Sequence, residues 1–253
     1  MTVKTDKRGS IGILTIDRPE ARNAIDGEAA RGIEQALDAF EQDDDVHGVV
    51  VTATGETFCA GADLKAAMSD PFSLVTERGG FAGIVKRHFD KTLVAAINGR
   101  ALGGGFEIAL SCHLVVAAES AQFGLPEVKR GLVAGAGGMF RVAQRLPLAI
   151  ALELVMTGDP ITASRAAELG LVNRVVPDGE VVDRAVELAQ AVAANGPLAV
   201  RLSRQVVQDA RRMSDAEGWA RTNQVVGELQ ASEDFKEGIM AFLEKREPQW
   251  TGR

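Results

Sequence analysis

Asn98-Gly99-Arg100-Ala101-Leu102-Gly103-Gly104-Gly105-Phe106-Glu107-Ile108-Ala109-Leu110-Ser111-Cys112-His113-Leu114-Val115-Val116-Ala117 is the stretch on which the reading of this 253-residue chain turns. It opens as a buried β-segment, bends through three consecutive glycines, and continues as a helix with one glutamate in its first turn. Glycines let the backbone take positive φ and approach another molecule with no Cβ in the way. A helix beginning there aims unpaired N–H groups and the positive end of its dipole at the gap. Such a place can stabilise an oxyanion, with Glu107 near enough to move a proton. The same residues also suit a plain strand-to-helix turn with a solvated glutamate, and the stretch alone does not choose.

Working outward, Leu93–Ile97 enters the turn as a buried strand and His113–Ala118 leaves it as another. Further upstream, Ser10–Asp17 alternates Ile11, Ile13 and Ile16 with smaller or polar residues, which predicts a strand ended at Arg18-Pro19. Asp26 can cap a helix with Ile33, Ala36, Leu37 and Phe40 on one face. Val49-Val50-Val51 then suits a strand covered on both faces. Strand, helix, strand in that order predicts right-handed crossovers and an α/β fold. Phe58–Lys65 opens another helix near Asp63, and 68–83, with Asp70-Pro71 and Gly79-Gly80, reads as a mobile substrate-facing loop with little regular structure.

Downstream, Gln122–Glu127 is short and extended, with Pro126 fixing the backbone before Glu127. Gly131–Gly138 is a further glycine-rich turn feeding a helix with Val142 and Leu146. Strand, glycine turn and helix thus recur at Gly61, Gly103 and Gly135. From Pro147 the chain reads as mostly helical, and Ser214-Asp-Ala-Glu217 is a capping box. Asn195-Gly196-Pro197 divides an α/β part, 1–195, from a helical part, 196–253. The apolar Val225, Val226, Phe235, Ile239, Phe242 and Leu243 of that helical part need a surface on the body or on another subunit.

Composition bounds the class. Hydrophobic residues make up 46% and charged residues 25%, as in ordinary globular proteins. A net charge of -7 offers no basic surface for nucleic acid or an anionic membrane. No run approaches the roughly 20 apolar residues of a membrane span, and the opening residues resemble no signal peptide. Cys59 and Cys112 fit neither a metal spacing nor a disulfide framework, so the expected setting is reducing and cytoplasmic. His47, His88 and His113 show no ligand spacing, and no metal is expected.

The chemistry rests on two carboxylates. Glu107 and Glu127 each follow a glycine-rich or proline-fixed turn and are joined by one predicted strand, so both can reach one pocket. In an apolar cleft their pKa values would be driven up and apart, as general acid–base work requires; two solvated surface glutamates fit the spacing equally. Gly135-Ala-Gly-Gly-Met-Phe140 lacks the third glycine of a dinucleotide fingerprint, and neither a phosphate loop nor a Gly-x-Ser-x-Gly elbow is present. Cys59 reads as a buried small hydrophobe.

Phe58-Cys-Ala-Gly-Ala-Asp-Leu-Lys65, Asn98–Glu107, Phe123-Gly-Leu-Pro-Glu127 and Gly135-Ala-Gly-Gly138 resemble the crotonase (enoyl-CoA hydratase/isomerase) superfamily. Arg18-Pro-Glu-Ala-Arg-Asn-Ala24-Ile, Met156–Ile161, Ala167–Asn173 and Phe242–Arg246 extend the resemblance over nearly the whole chain. It implies a spiral of β-β-α units with a C-terminal helical region for trimerisation and for closing the CoA channel, as a homotrimer or a homohexamer (a dimer of trimers). It also implies a lyase of fatty-acid metabolism, of the β-oxidation type, that hydrates a 2-enoyl-CoA. Coenzyme A enters as part of the acyl-CoA substrate and no separate cofactor is expected. Family position gives the oxyanion hole to the N–H groups of Ala62 and Gly104. Glu107 and Glu127 together orient and deprotonate water, and Glu127 delivers a proton to Cα. Ala24, Ala60, Asp63, Leu64 and Lys65 line the CoA channel, with Lys65 and Lys245 near its phosphates or adenine, although each lysine also reads as solvated.

Two departures bear on the acyl group. Val133-Ala134 stands where the family often has a proline before the Gly-Ala-Gly-Gly turn, and Met139-Phe140 replaces a usual Thr-Gln pair, changes that would reshape the acyl pocket or a subunit contact. Gly79–Gly83 and the ending Glu244–Arg253 resemble the carnitinyl-CoA dehydratase branch, whose cationic substrate needs an anionic or aromatic partner. A Δ3-Δ2 isomerase is the nearest enzymatic rival. A catalytically silent acyl-CoA-binding protein is the non-enzymatic one, and it predicts loss of a glutamate that both positions retain.

Overall fold

The computed structural model describes residues 2–253. β1 (Val3–Arg8) turns at Gly9-Ser10 and pairs antiparallel with β2 (Ile11–Ile16), whose isoleucines and Leu14 are buried. Asp26 accepts the Ala29 N–H at 2.8 Å and caps α1 (Gly27–Gln42), as its position before the apolar stripe predicts. β3 (Gly48–Ala53) is buried at every residue and parallel to β2. β4 (Thr57–Cys59) departs for a second sheet, and Asp63 caps α2 (Leu64–Ser69). The two-residue strands β5 (Val75–Thr76) and β6 (Gly80–Phe81) pair with each other. β7 (Thr92–Ile97), β8 (Arg100–Leu102) and α3 (Gly104–Ser111) form the strand, turn and helix expected around the three glycines.

Beyond α3 come β9 (Leu114–Ala118) and β10 (Gln122–Gly124), then α4 (Gly138–Arg145) and α5 (Leu148–Thr157). β11 (Ile161–Thr162), α6 (Ala163–Glu168), β12 (Arg174–Val176) and α7 (Val181–Ala193) complete the body. The strands form a six-stranded sheet, β1-β2-β3-β7-β9-β12, and a four-stranded one, β11-β10-β8-β4. β3-β4-α2 and β7-β8-α3 each lay one strand in the large sheet and the next in the small one before entering a helix; β9-β10 repeats this but ends in a 3-10 turn, Pro126–Arg130. Phe58, Phe106 and Phe123 are fully buried, and the last two rings meet at 5.5 Å and 58°, a favourable tilted pair. That contact fixes α3 against β10, and therefore Glu107 relative to the chain leading to Glu127.

Several expectations require correction. The segment 68–83 is built rather than loose. Leu74 and Ala82 are buried, a 3-10 turn spans Pro71–Leu74, and Glu34 on α1 accepts the Gly79 N–H at 3.0 Å. The buried Arg87 and the exposed Arg78 both pair with Asp38 and Glu41 of α1. These anchors lie some 40 residues upstream, which is why local composition does not disclose them. No strand leads directly into the third glycine turn, and its left-handed residues are Gly131 (φ 67), which closes the 3-10 turn, and Gly137 (φ 101), the N-cap of α4. Extension from Gln122 ends at Gly124, and Pro126 starts helical geometry that holds Glu127 in its first turn. The helical portion after Pro147 also contains two short strands, and β12 extends the large sheet.

The chain breaks after α7 at the predicted Asn195-Gly196-Pro197 and continues as α8 (Pro197–Asp209), α9 (Asp215–Gln230) and α10 (Glu233–Glu244). The capping box at Ser214 and Glu217 is present. Arg204 ties α8 to the body through the carbonyls of Lys91 and Phe89, at 3.2 and 3.0 Å. Asp234 accepts the Thr251 and Gly252 N–H groups at 2.7 and 3.0 Å, and Trp250 Nε1 donates to Ala194 O at 3.0 Å. Val225 is buried with Leu198 and Leu202, whereas Phe242 and Leu243 face outward.

Candidate active site

The two glycine turns that follow β4 and β8 lie back to back. A Cβ on Gly61 would stand 3.0 Å from Gly104 N, and one on Gly105 would overlap the Cys59 carbonyl oxygen. Contact this close between backbones excludes side chains at both turns. Gly103 takes φ 55 and ψ -127, a region that is in practice closed to other residues. Ile25 aligns beside the first turn: its N–H donates to Gly61 O and its carbonyl accepts from Asp63 N, both at 2.8 Å. Alternation along extended backbone then turns the intervening Ala62 N–H the other way. Neither Ala62 N–H nor Gly104 N–H donates to a protein acceptor among the described residues. Two free donors on adjoining turns are what an oxyanion hole requires.

The carboxyls flank this pair of turns. Glu107 is 3% exposed and its Oε1 accepts the Gly138 N–H at 2.7 Å, at the start of α4. Burial, the largest cause, raises its pKa above the usual carboxylate range; the Gly138 N–H opposes this and the nearby Glu127 charge adds to it. A Cβ on Gly103 would sit 3.1 Å from Glu127 Oε1, so this carboxyl lies against the turn that carries Gly104. Glu127 Oε2 is buried with no hydrogen-bond partner in the protein. Burial raises the Glu127 pKa too, against the pull of its own backbone N–H and of Arg130. One held carboxyl and one with a spare oxygen thus border a common gap.

Of the residues expected in the CoA channel, Ala24, Ala60 and Asp63 are gathered on one side. Ala60 N donates to Arg22 O at 3.1 Å. Arg18 donates to Ala24 O and pairs with both Asp26 (2.8 Å) and Asp63 (3.3 Å). Leu64 and Lys65 begin α2 with exposed side chains. Lys245 ends α10 in a left-handed conformation, and α10 packs chiefly on α9, so this structure does not bring Lys245 to the pair.

Sequence reasoning missed four contributors. Arg18 organises the first turn. Asn23, fully buried, donates to the Thr54 and Thr57 carbonyls at 2.8 and 2.7 Å. Phe81 packs its ring on Gly104, where a Cβ would be only 2.5 Å from the ring. Arg141 binds Ala136 O at 3.1 Å and Val85 O at 2.5 Å, bracing the turn that presents Gly138 N–H. The Arg-Pro-x-x-x-Asn spelling at 18–23 was the available signal; Phe81 left none without its partner.

Cys59 is buried as expected and Cys112 is buried too, both thiols pushed up to about 12 by burial. His113 accepts the Leu93 N–H at 2.9 Å, and burial, with Arg204 adjacent, lowers its pKa to about 3. Among the described residues no three His, Cys, Asp or Glu side chains gather as a metal site, and no helix is long and apolar enough to cross a membrane.

Comparison with known proteins bears directly on this arrangement. Residues 6–253 match the family described as enoyl-CoA hydratase/isomerase. Enoyl-CoA hydratase EchA19 of Mycobacterium tuberculosis is 39% identical over 98% of this chain and 96% of its own. Carnitinyl-CoA dehydratase of Proteus mirabilis is 39% identical over 97% of each. A crystal structure of an enoyl-CoA hydratase from Mycobacterium tuberculosis H37Rv superposes with a TM-score of 0.94 at 43% identity, covering 100% of this chain and 99% of that one.

Proposed function

The chain belongs to the enoyl-CoA hydratase/isomerase family, with the crotonase fold, and from that premise we propose that it adds water to a 2-enoyl-CoA thioester, giving the 3-hydroxyacyl-CoA. The reverse step is dehydration, the reaction for which its carnitinyl-CoA relative is named. The observation that carries this reading is the meeting of a buried carboxyl, Glu107, and a half-buried one, Glu127, beside two backbone N–H groups that have no protein acceptor.

The thioester oxygen lies between Ala62 N–H and Gly104 N–H, which stabilise the enolate as charge leaves Cα. Each such donor contributes on the order of 3 kcal/mol to the transition state. Glu107, fixed as an acceptor by Gly138 N–H, orients water for attack on Cβ. Glu127, whose Oε2 has no protein partner, takes part in removing the water proton and returns a proton to Cα. Water thus divides into a hydroxyl on Cβ and a hydrogen on Cα, and no electrons are gained or lost. Shifting a double bond requires only one such base, so the retained pair favours hydration over isomerisation.

Loss of enoyl-thioester absorbance from crotonyl-CoA tests the reading. Glu107→Gln and Glu127→Gln are each expected to lower kcat by about 10²–10⁴-fold while circular dichroism is unchanged. A parent rate in either variant would exclude the assigned roles.

The protein's setting is taken as cytoplasmic and its assembly as a homotrimer or dimer of trimers, with 1–195 holding the site and 196–253 serving assembly and closure of the CoA channel. The outward Phe242 and Leu243 support that division.

A further inference from the structure

Arg141 on α4 is half-buried and, among the described residues, makes no ion pair. Taking a charge out of water costs free energy unless a counter-ion or hydrogen bonds offset it. Here backbone oxygens take that part: Nη1 donates to Ala136 O at 3.1 Å and Nη2 to Val85 O at 2.5 Å. The guanidinium also lies 5.1 Å over the Phe140 ring. Both carbonyls belong to segments that touch the site. Ala136 precedes by two residues Gly138, whose N–H holds Glu107 Oε1 at 2.7 Å. Val85 follows Phe81 by one turn and donates its N–H to Phe81 O at 3.3 Å. The Phe81 ring in turn packs on Gly104. A single guanidinium therefore joins the turn that fixes a carboxyl to the segment that covers an oxyanion donor.

We propose that Arg141 is a positioning residue for the water addition, its planar fork setting Glu107 and the Gly104 donor relative to each other; the inference rests on the hydratase reading. Two parallel donors on a rigid plane can span two carbonyls, whereas the point charge of a lysine has no such fork. The charge acts on Glu107 as well. Burial is the largest influence on that carboxyl and raises its pKa; Glu127 on the 3-10 turn adds to the rise, and Arg141 opposes it. Cys112, the other ionisable group whose charge would favour the Arg141 cation, is a neutral thiol, so Glu107 is the anion that Arg141 serves. Glu127 feels Arg130 instead. Arg145, a turn further along α4, makes a useful contrast: it donates to Cys112 O at 2.8 Å, at the far end of α3 from the oxyanion donor.

Arg141→Met removes fork and charge, and Arg141→Lys removes the fork alone. With crotonyl-CoA, Arg141→Met is expected to lower kcat about 10–100-fold, the scale of a misplaced catalytic group. It should leave calorimetric binding of the saturated butanoyl-CoA unchanged and move the acid limb of kcat/KM to higher pH, since a cation that favours ionised Glu107 is gone. Arg141→Lys should keep the acid limb and still lose about tenfold in kcat. In both variants the Gly138 and Val85 amides should exchange faster. Arg145→Gln should lower the melting temperature with kcat, acid limb and those two amides unchanged. A parental kcat and acid limb in Arg141→Met, or the same kinetic changes in Arg145→Gln, overturn the proposal. Should Arg141→Met fail to fold, Arg141→Lys decides alone, and a parental kcat in it is fatal. A parent protein that hydrates no enoyl thioester removes the hydratase reading instead. The tie from Arg141 to Glu107 then stands on amide exchange and on a carbon NMR titration of the Glu107 carboxyl, which should ionise at higher pH in Arg141→Met than in the parent.

Discussion

Glu107 is 3% exposed and is held by a backbone N–H, not by a cation. Its folded-state pKa is raised, so the folded protein binds this proton more tightly than the unfolded chain does. Stability from this group is therefore complete below the unfolded carboxylate value, roughly 4.3, and is lost as pH rises through the folded value. Glu107→Gln keeps the oxygen that accepts Gly138 N–H and removes the charge. Thermal melts should show it stabilised near about pH 8 and little changed near about pH 4. An equal shift at both would mean that the charge is not the cause. Activity has its own signature, because the reaction uses one ionised and one protonated carboxyl. The acid limb of kcat/KM should lie above the ordinary carboxylate range, since both pKa values are raised mainly by burial. An acid limb at the value of a free glutamate would remove burial from the account.

At the scale of elements, the turn between β8 and α3 tolerates nothing larger than hydrogen. Gly103→Ala is expected to cost about 1–3 kcal/mol through its backbone conformation alone and to press on Glu127. Gly218 and Gly227 lie inside α9 with open space around them, and changing either to Ala should stabilise by about 0.5–1 kcal/mol. Denaturant midpoints of these variants compare the two kinds of glycine directly. The segment 75–86 depends on Arg87, whose side chain is buried against Asp38 and Glu41. Arg87→Ala should speed amide exchange from Gly79 to Lys86 at least about tenfold while β3 and β7 stay protected; unchanged exchange would show that the ion pairs do not hold it. The limits of the sequence follow the same division. β2, α1, β3 and β7 were legible because apolar spacing states how a residue is buried without saying against what. Glu107 and Glu127 were legible as a pair because family spelling survives around them. The fastening of 68–83 to α1, and Phe81 on Gly104, depend on contacts between distant segments, which periodicity does not encode.

Over the whole molecule, several large apolar side chains remain exposed on the helical faces. Phe140, Leu148, Phe242 and Leu243 are 53%, 66%, 83% and 67% exposed. Sedimentation is expected to give a trimer or a hexamer, and Leu148→Asp combined with Phe242→Glu should lower the mass with secondary structure retained. A parent protein that sediments as a monomer would refute the assembly. The order of the two sheets has a further consequence. From β2 onward, β3, β7, β9 and β12 join the large sheet in the order in which they are made, as β4, β8, β10 and β11 join the small one. A nascent chain leaving the ribosome can therefore add each strand to the edge just completed, with no earlier strand displaced. The donors at Ala62 and Gly104 meet when the second winding docks, but the carboxyl pair waits for the third. On the proposed roles, a chain arrested just past α3 would hold both backbone donors and Glu107 but lack Glu127, so the second carboxyl, and with it the proton for Cα, arrives only with the third winding.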